Sequence, residues 1–182
     1  MRKFFASALE IFEVALVAVG AVFLIRSFLI QPFLVSGSSM VPTFSNGDYL
    51  LVDEVTYRFR PPERGEVIVF KYPESPSTYF IKRIIGLPGE EVDINDNKVR
   101  IVNGAHPDGF LITEDYLPTS TYTTGAETFH LKPNEYLMLG DNRPYSFDSR
   151  SWGPLASNYI VGLVRLRLWP LADATAFAAP QY

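Results

Sequence analysis

The longest apolar stretch of the chain runs from Ile11 to Ile30, with charged residues only at Glu13 and Arg26. In an α-helix, about 20 residues at about 1.5 Å each match the hydrocarbon core of a bilayer. The pattern therefore predicts one N-terminal transmembrane helix, with a membrane anchor over residues 1–31.

A cleavable signal peptide is the alternative for this stretch. Its uninterrupted core, Val14 to Ile25, is short enough for one, and Arg2 and Lys3 would be the basic segment before it. The small residues from Ser36 to Ser39 lie well beyond that core and precede Met and Pro, which favours a retained anchor. The two basic residues also predict a cytoplasmic N-terminus, so that the rest of the chain faces the far side of the membrane.

Beyond the Gln31-Pro32 pair, short apolar runs separated by turn residues are typical of β-strands. No long amphipathic helical pattern follows residue 31. The predicted strands are Tyr49–Val52, Glu66–Tyr72, Tyr79–Ile85, Glu91–Ile94, Val99–Val102, Glu135–Leu139 and Ile160–Trp169. The pattern predicts a mostly β fold.

One segment, residues 103–133, differs from the rest. It is rich in Thr, Gly, Pro, Asp and Tyr and is only weakly periodic. We predict that it forms a small inserted β appendage between two parts of a β core, residues 32–102 and 134–171. The Ala-rich residues 172–182 are predicted to form a frayed C-terminal tail.

Composition narrows the chemistry. Without cysteine, the chain has no thiol nucleophile, no disulfide and no thiolate metal site. His106 and His130 show no metal-ligand spacing, and we interpret both as surface residues. A net charge of -4 and the lack of a basic patch argue against nucleic-acid binding, while a hydrophobic content of 47% indicates a folded protein.

Two residues suggest nucleophilic catalysis. Ser39 follows a Ser-Gly-Ser sequence shortly after the apolar stretch, and a serine hydroxyl needs a neighbouring base to become a nucleophile. Lys82 lies in a predicted strand, where period-two geometry places Phe80 and Ile84 on its face. The loss of hydration there lowers a lysine pKa, which would make Lys82 a candidate base.

Each residue alone also has an ordinary interpretation. A serine beside glycine is more often part of a turn, and a strand lysine more often extends its amine to water. Ser39 and Lys82 together, in a chain with this layout, favour a catalytic pair.

The densest polar motif runs from Gly140 to Gly153. It contains two aspartates, two arginines and three serines within eleven residues, directly after a predicted buried strand. We predict a loop held by Asp-Arg pairs and anchored by Tyr145 and Trp152. A solvated turn is the alternative.

Four ordered blocks resemble the bacterial type I signal peptidases (leader peptidases), which are membrane-bound serine proteases with a Ser-Lys dyad. The resemblance extends from about Ser27 to Trp169. The blocks are Ser39-Met40-x-Pro42-Thr43, Arg64 to Phe70, Lys82-Arg83-x-x-Gly86-x-Pro88-Gly89, and Gly140 to Arg150.

The resemblance implies roles for individual residues. Ser39 would be the nucleophile and Lys82 the general base, while Ser146 would orient the lysine amine. The other implied residues are Asp148 and Arg150, which would hold the loop, Asp141 and Asn142 in support, and Phe33, Val35, Met40 and Ile81 at the substrate pockets. Some members of the family carry a hydroxyl residue where this chain has Gly37, which leaves the second oxyanion donor open.

The resemblance also implies an antiparallel β catalytic domain of the signal-peptidase type with a small β appendage and a hydrophobic face near the bilayer. The expected activity is removal of signal peptides from exported preproteins after small residues (Ala-x-Ala type), through an acyl-enzyme and without a metal or cofactor. The expected location is the cytoplasmic membrane, with contact to membrane lipid, the catalytic domain outside and the secretion translocon nearby.

Two rival functions fit parts of the same pattern. One is another Ser-Lys processing peptidase of related fold. The other is a membrane-tethered β domain that binds partners without catalysis. Only an enzyme is expected to react at Ser39 with an acylating probe, which distinguishes the second rival.

Overall fold

The computed structural model of the protein describes residues 11–20 and 30–180. Residues 11–20 are helical, and their large apolar side chains are exposed. Within the described residues, no helix is both long and apolar enough to cross a membrane. Most of the predicted anchor lies outside the described residues, as do Arg2, Lys3 and Arg26.

Beyond the helix, the described chain is built mainly from antiparallel strands. The strands are β1 (Ile30–Leu34), β2 (Tyr49–Asp53), β3 (Val67–Tyr72), β4 (Ser75–Gly86), β5 (Glu91–Asn95), β6 (Lys98–Asn103), β7 (His106–Leu111), β8 (Glu127–His130), β9 (Glu135–Leu139), β10 (Leu155–Ala156), β11 (Ile160–Trp169) and β12 (Thr175–Ala176). Short helical turns lie at Thr56–Arg58, Arg143–Tyr145, Ser149–Trp152, Ser157–Tyr159 and Leu171–Asp173. The mostly β prediction is confirmed.

The strands form two sheets. The larger has the order β1-β2-β11-β3-β4-β9-β10, with β12 paired to β11, and the smaller has the order β7-β6-β5-β8. The smaller sheet begins with a tight hairpin at Asp96 and Asn97, whose positive φ angles of 49° and 61° are the type that Asn and Asp tolerate in two-residue turns. This hairpin joins two of the predicted strands, Glu91–Ile94 and Val99–Val102.

The boundary of the predicted appendage differs from the observed pairing. Residues 103–133 contribute β7 and β8, but these strands pair with β6 and β5, which the prediction placed in the β core. Among the described strands, β7 pairs only with β6 and β8 only with β5, so both depend on the β5–β6 hairpin. The smaller sheet therefore starts at Glu91.

Part of the segment predicted to be a frayed tail contacts the β core. Thr175–Ala176 pairs with β11, and the Phe177 ring packs against Phe44 with ring centroids 4.5 Å apart. Strand pairing and an aromatic contact with the core thus hold a segment whose Ala-rich composition suggests fraying.

Buried apolar residues cover both faces of the larger sheet. One cluster contains Val35, Leu50 and Val69, with Ile81 packed against it. A second, on the opposite face, contains Ile68, Phe70, Ile84 and Met138. A third joins the two sheets, with Ile85 and Leu137 on one side and Val92, Ile94 and Ile101 on the other. Strand β4 contributes to all three clusters.

Candidate active site

Ser39 and Lys82 lie in direct contact. Lys82 Nζ donates hydrogen bonds to Ser39 Oγ at 2.8 Å and to the backbone oxygen of Ile81 at 2.9 Å. The lysine is only 3% exposed, although its side chain is charged in water. The structure thus brings together the two residues that the sequence pairs.

The surroundings of the lysine are apolar, as predicted. Its Nζ lies 5.4 Å from the centre of the Phe80 ring, and Ile84 is fully buried in the cluster on the same face of β4. Burial lowers the pKa of Lys82 to about 8, although the charges of Asp148 and Asp141 act in the opposite direction. A lysine with this pKa is partly neutral near pH 7 and can accept a proton from a hydroxyl group.

The loop after β9 positions the backbone around Ser39. The N–H of Asn142 donates to the backbone oxygen of Ser39 at 3.0 Å, and its side-chain amide donates to that of Ser38 at 2.9 Å. Gly140 is needed here, because a Cβ at this residue would lie 2.5 Å from the Ser39 oxygen. Asn142 therefore supports the serine directly.

Asp148 and Arg150 organise the loop from within. Arg150 Nε donates to Asp148 Oδ1 at 2.8 Å, and Arg150 Nη2 donates to the backbone oxygen of Arg143 at 2.7 Å. The buried Asp148 also accepts from the N–H of Gly140 at 3.0 Å and caps the short helix Ser149–Trp152. These contacts agree with the predicted Asp-Arg pinning of the loop.

Asp141 pairs with Arg83, which follows Lys82 in β4. Arg83 Nε donates to Asp141 Oδ1 at 2.8 Å, and both side chains are buried. Arg83 Nη1 also donates to the backbone oxygen of Gly65 at 2.8 Å. The sequence marked Asp141 as supporting but did not identify its partner.

Arg143 is an important residue that the sequence interpretation missed. Its guanidinium is buried and forms a bidentate ion pair with Glu114, while Nη1 also donates to Thr123 Oγ1 at 2.8 Å. Burial lowers the pKa of Arg143, but the hydrogen bond to Glu114 and the charges of Glu114, Tyr116 and Asp141 together outweigh burial and raise the net pKa. Glu114 lies in a segment without periodicity, so no sequence pattern links it to Arg143.

Ser146 and Tyr145 do not make the contacts that were predicted for them in this loop. Ser146 Oγ is buried but has no hydrogen-bond partner within the described residues, and the bond to the lysine amine is not formed here. Tyr145 is 77% exposed and does not anchor the loop, which corrects that prediction. Trp152 does anchor it, with its ring 5.8 Å from that of Phe70.

Beside the pair lies a cavity of about 310 Å³. Of the four residues predicted at the substrate pockets, Phe33, Val35 and Ile81 line this cavity, whereas Met40 is buried outside its lining. Apolar lining residues that the sequence interpretation missed are Leu34, Leu50, Val69, Tyr79, Phe80, Tyr145 and Phe147.

Two strand edges face this cavity. β1 is the terminal strand of the larger sheet and pairs only with β2 among the described strands. Residues 79–82 of β4 pair with β3 on one side, but pairing with β9 begins only at Arg83. Phe33 on β1 and Tyr79 on β4 bring the two edges close, with ring centroids 5.4 Å apart.

Gly37 has a conformational reason to be glycine. Its φ of +102° is strained for any residue with a side chain, which disfavours a hydroxyl residue at this position. Its N–H donates to Asn46 Oδ1 at 3.0 Å.

Neither histidine lies at the site. His106 and His130 are both exposed, as predicted. Across residues 11–20 and 30–180, no group of three His, Asp or Glu side chains is arranged to hold a metal ion.

Comparison with known proteins shows extensive similarity. Residues 8–169 match the family described as signal peptidase, peptidase S26. The chain is 36% identical over 155 residues to signal peptidase I of Leptolyngbya laminosa, a match that covers 81% of this chain and 72% of that protein. It is 35% identical over 176 residues to signal peptidase IB of Staphylococcus aureus (strain COL), covering 86% and 87%. Thylakoidal processing peptidase 1, chloroplastic, of Arabidopsis thaliana is 33% identical over 180 residues, covering 93% of this chain and 51% of that protein.

Proposed function

The chain belongs to the signal peptidase family, peptidase S26, and we propose that it removes N-terminal signal peptides from exported preproteins with Ser39 as nucleophile and Lys82 as general base. The observation that carries this proposal is the 2.8 Å contact between Lys82 Nζ and Ser39 Oγ beside an apolar cavity. A buried lysine with a pKa of about 8 suits the role of the base.

The proposed reaction is acyl transfer. Lys82 takes the hydroxyl proton as Ser39 Oγ attacks the scissile carbonyl, and the backbone N–H of Ser39 stabilises the oxyanion. Lys82 gives this proton to the amine of the mature protein, which leaves, and the signal peptide remains as an ester on Ser39. Lys82 then deprotonates a water molecule, which attacks the ester, and Lys82 returns the proton to Ser39 Oγ as the signal peptide is released.

The substrate is proposed to bind as an added strand. The edge of β1 and the edge of β4 at residues 79–82 both face the cavity, and extended peptides bind to such edges through backbone hydrogen bonds. A peptide between them would pass directly by Ser39.

Small residues are proposed at the first and third positions before the cut. Phe33, Val35 and Ile81 offer branched and aromatic walls, which exclude a large side chain by overlap. We expect a preprotein with Leu just before the cut to be cleaved poorly, and Ile81→Ala to restore its cleavage. Unchanged discrimination between Ala and Leu in Ile81→Ala would contradict this pocket assignment.

A membrane location is proposed as well, with a single anchor, the N-terminus in the cytoplasm and the β domain outside. Leu34, Tyr49 and Trp169 are neighbours across β1, β2 and β11, and they are 57%, 46% and 55% exposed. This apolar surface includes β1, the strand at the end of the apolar stretch Ile11 to Ile30, and its position suits contact with lipid. An alkaline-phosphatase fusion after Tyr182 should be active, and an inactive fusion at normal expression would place the domain in the cytoplasm.

The decisive experiment is cleavage of a purified preprotein ending in Ala-x-Ala, followed by N-terminal sequencing of the product. The wild-type protein should release the mature protein, and an acylating probe should label it at Ser39. Ser39→Ala should do neither. A binding domain without catalysis would leave the preprotein intact and the serine unlabelled.

A further inference from the structure

The cavity has an aromatic wall that the proposed chemistry does not use. Phe80 and Phe147 line it on the face of β4 that carries Lys82, with ring centroids 6.3 Å apart, and Tyr145 lines it nearby. Phe147 is 52% exposed and Tyr145 is 77% exposed. Large apolar side chains that remain this open at a cleft commonly mark a binding surface.

Phe147 is exposed but held in place. Its ring packs edge-on against the rings of Tyr72 and Phe80, with centroid distances of 5.9 Å and 6.3 Å. The next residue, Asp148, is fully buried and bonded to Arg150. A ring that is already fixed loses little conformational entropy when it contacts a ligand.

The two walls of the cavity lie on opposite faces of β4. Ile81 packs with the cluster of Val35 and Val69, whereas Phe80 packs with the cluster on the other face. Successive side chains of an extended peptide point to opposite faces of the sheet that it joins. If the first and third residues before the cut face Ile81, the second faces Phe80 and Phe147.

We propose that Phe80, Tyr145 and Phe147 form a subsite for the second residue before the cut, and that this subsite favours a large apolar side chain. The inference rests on the proposed function and extends it to the middle residue of the Ala-x-Ala motif. Contact with an aromatic wall that is open to solvent should favour Leu or Phe over Gly or Ser by about three- to tenfold in kcat/KM.

The test uses the full-length protein and four preproteins that differ only in the second residue before the cut, which is Phe, Leu, Ser or Gly. Phe147→Ala should bring the ratio of kcat/KM for Phe over Gly close to one. Tyr145→Ala removes a more exposed side chain and should lower the ratio by a smaller factor. Leu111→Ala is the matched control, because Leu111 is 53% exposed on the smaller sheet and does not line the cavity, and it should keep the wild-type ratio.

Equal rates for the four preproteins in the wild-type protein would overturn the subsite. So would a wild-type ratio in both Phe147→Ala and Tyr145→Ala. Failure of the wild-type protein to cleave any of the four would instead contradict the proposed function, so the two failures are distinguishable.

Discussion

Lys82 and Arg83 are adjacent in β4 and almost equally buried, at 3% and 4% exposure, yet they occupy opposite electrostatic environments. Lys82 points to one face of the sheet, where its amine meets a hydroxyl, a carbonyl and the Phe80 ring. Arg83 points to the other face, where its guanidinium meets the carboxylate of Asp141. The pKa of Lys82 is lowered to about 8, whereas the charge of Arg83 is balanced by the carboxylate of Asp141.

The comparison shows that burial alone does not make a cation reactive. A buried guanidinium with a carboxylate partner stays charged and ties two segments together. A buried amine without a bonded carboxylate loses its proton more easily and becomes a base. The same strand thus carries a catalytic candidate on one face and a structural ion pair on the other.

The largest effect is expected on the lysine face. Lys82→Met and Lys82→Arg should each lower kcat/KM for a preprotein by more than about a thousandfold, because members of a catalytic unit act together and a guanidinium cannot lose its proton near neutral pH. Steady-state cleavage assays measure this loss, and circular dichroism checks the fold. Most of the activity surviving in either variant would remove Lys82 from the dyad.

Loss of the ion pair on the Arg83 face of β4 should lower the stability of the protein. Asp141→Ala leaves the buried charge of Arg83 without its carboxylate, which should lower the free energy of unfolding by about 3 to 5 kcal/mol. Urea titration measures the change, with Asp108→Ala on the exposed surface as the control. An equal, small effect in both variants would show that the ion pair is not important for stability.

The pH dependence should distinguish the two cations further. Because Lys82 must be neutral to act as a base and its pKa is about 8, kcat/KM should rise about fiftyfold from pH 6 to pH 8 and level off above. A lowered lysine pKa also costs stability: the contribution of Lys82 to the free energy of unfolding is lowest below pH 8 and rises between pH 8 and 10.5. Lys82→Met should therefore unfold at higher urea concentration than wild type at pH 6. Activity that is flat from pH 6 to 8 would contradict this account.

The smallest effect is expected at Ser146, whose hydroxyl is predicted to orient the lysine amine. Ser146→Ala should lower kcat by about ten- to a hundredfold, because catalytic hydrogen bonds can tighten only once substrate is bound. The melting temperature should stay unchanged, since the hydroxyl has no hydrogen bond to lose in this structure. Full activity of the variant would show that Ser146 does not orient Lys82.

The sequence allowed much of this arrangement to be predicted. Alternation located most strands of the larger sheet, and two of them, Glu135–Leu139 and Ile160–Trp169, agree to the residue. The placement of Lys82 between Phe80 and Ile84 followed from period two alone. Local patterns of this kind are visible because strand geometry repeats within a few residues.

Contacts between distant segments could not be predicted from the sequence in the same way. The Arg143–Glu114 pair joins residues 29 positions apart, and Glu114 has no periodic context. The strands β7 and β8 are short and polar on the exposed side, so they depend on pairing with β6 and β5 rather than on their own pattern. The C-terminal segment docks through the pairing of β12 with β11 and the contact of Phe177 with Phe44, and composition indicates neither contact.

Because Lys82 and Arg83 face opposite sides of β4, the register of this strand limits which insertions and deletions the gene can tolerate. A shift of β4 by one residue turns every side chain to the opposite face, so Arg83 would face Ser39 and Lys82 would face Asp141. Loss or gain of a single codon between those for Tyr79 and Lys82 should therefore abolish activity. In the turn that joins β3 to β4, Glu74 is exposed and Pro73 is half-buried, and added codons there should be accepted far more readily.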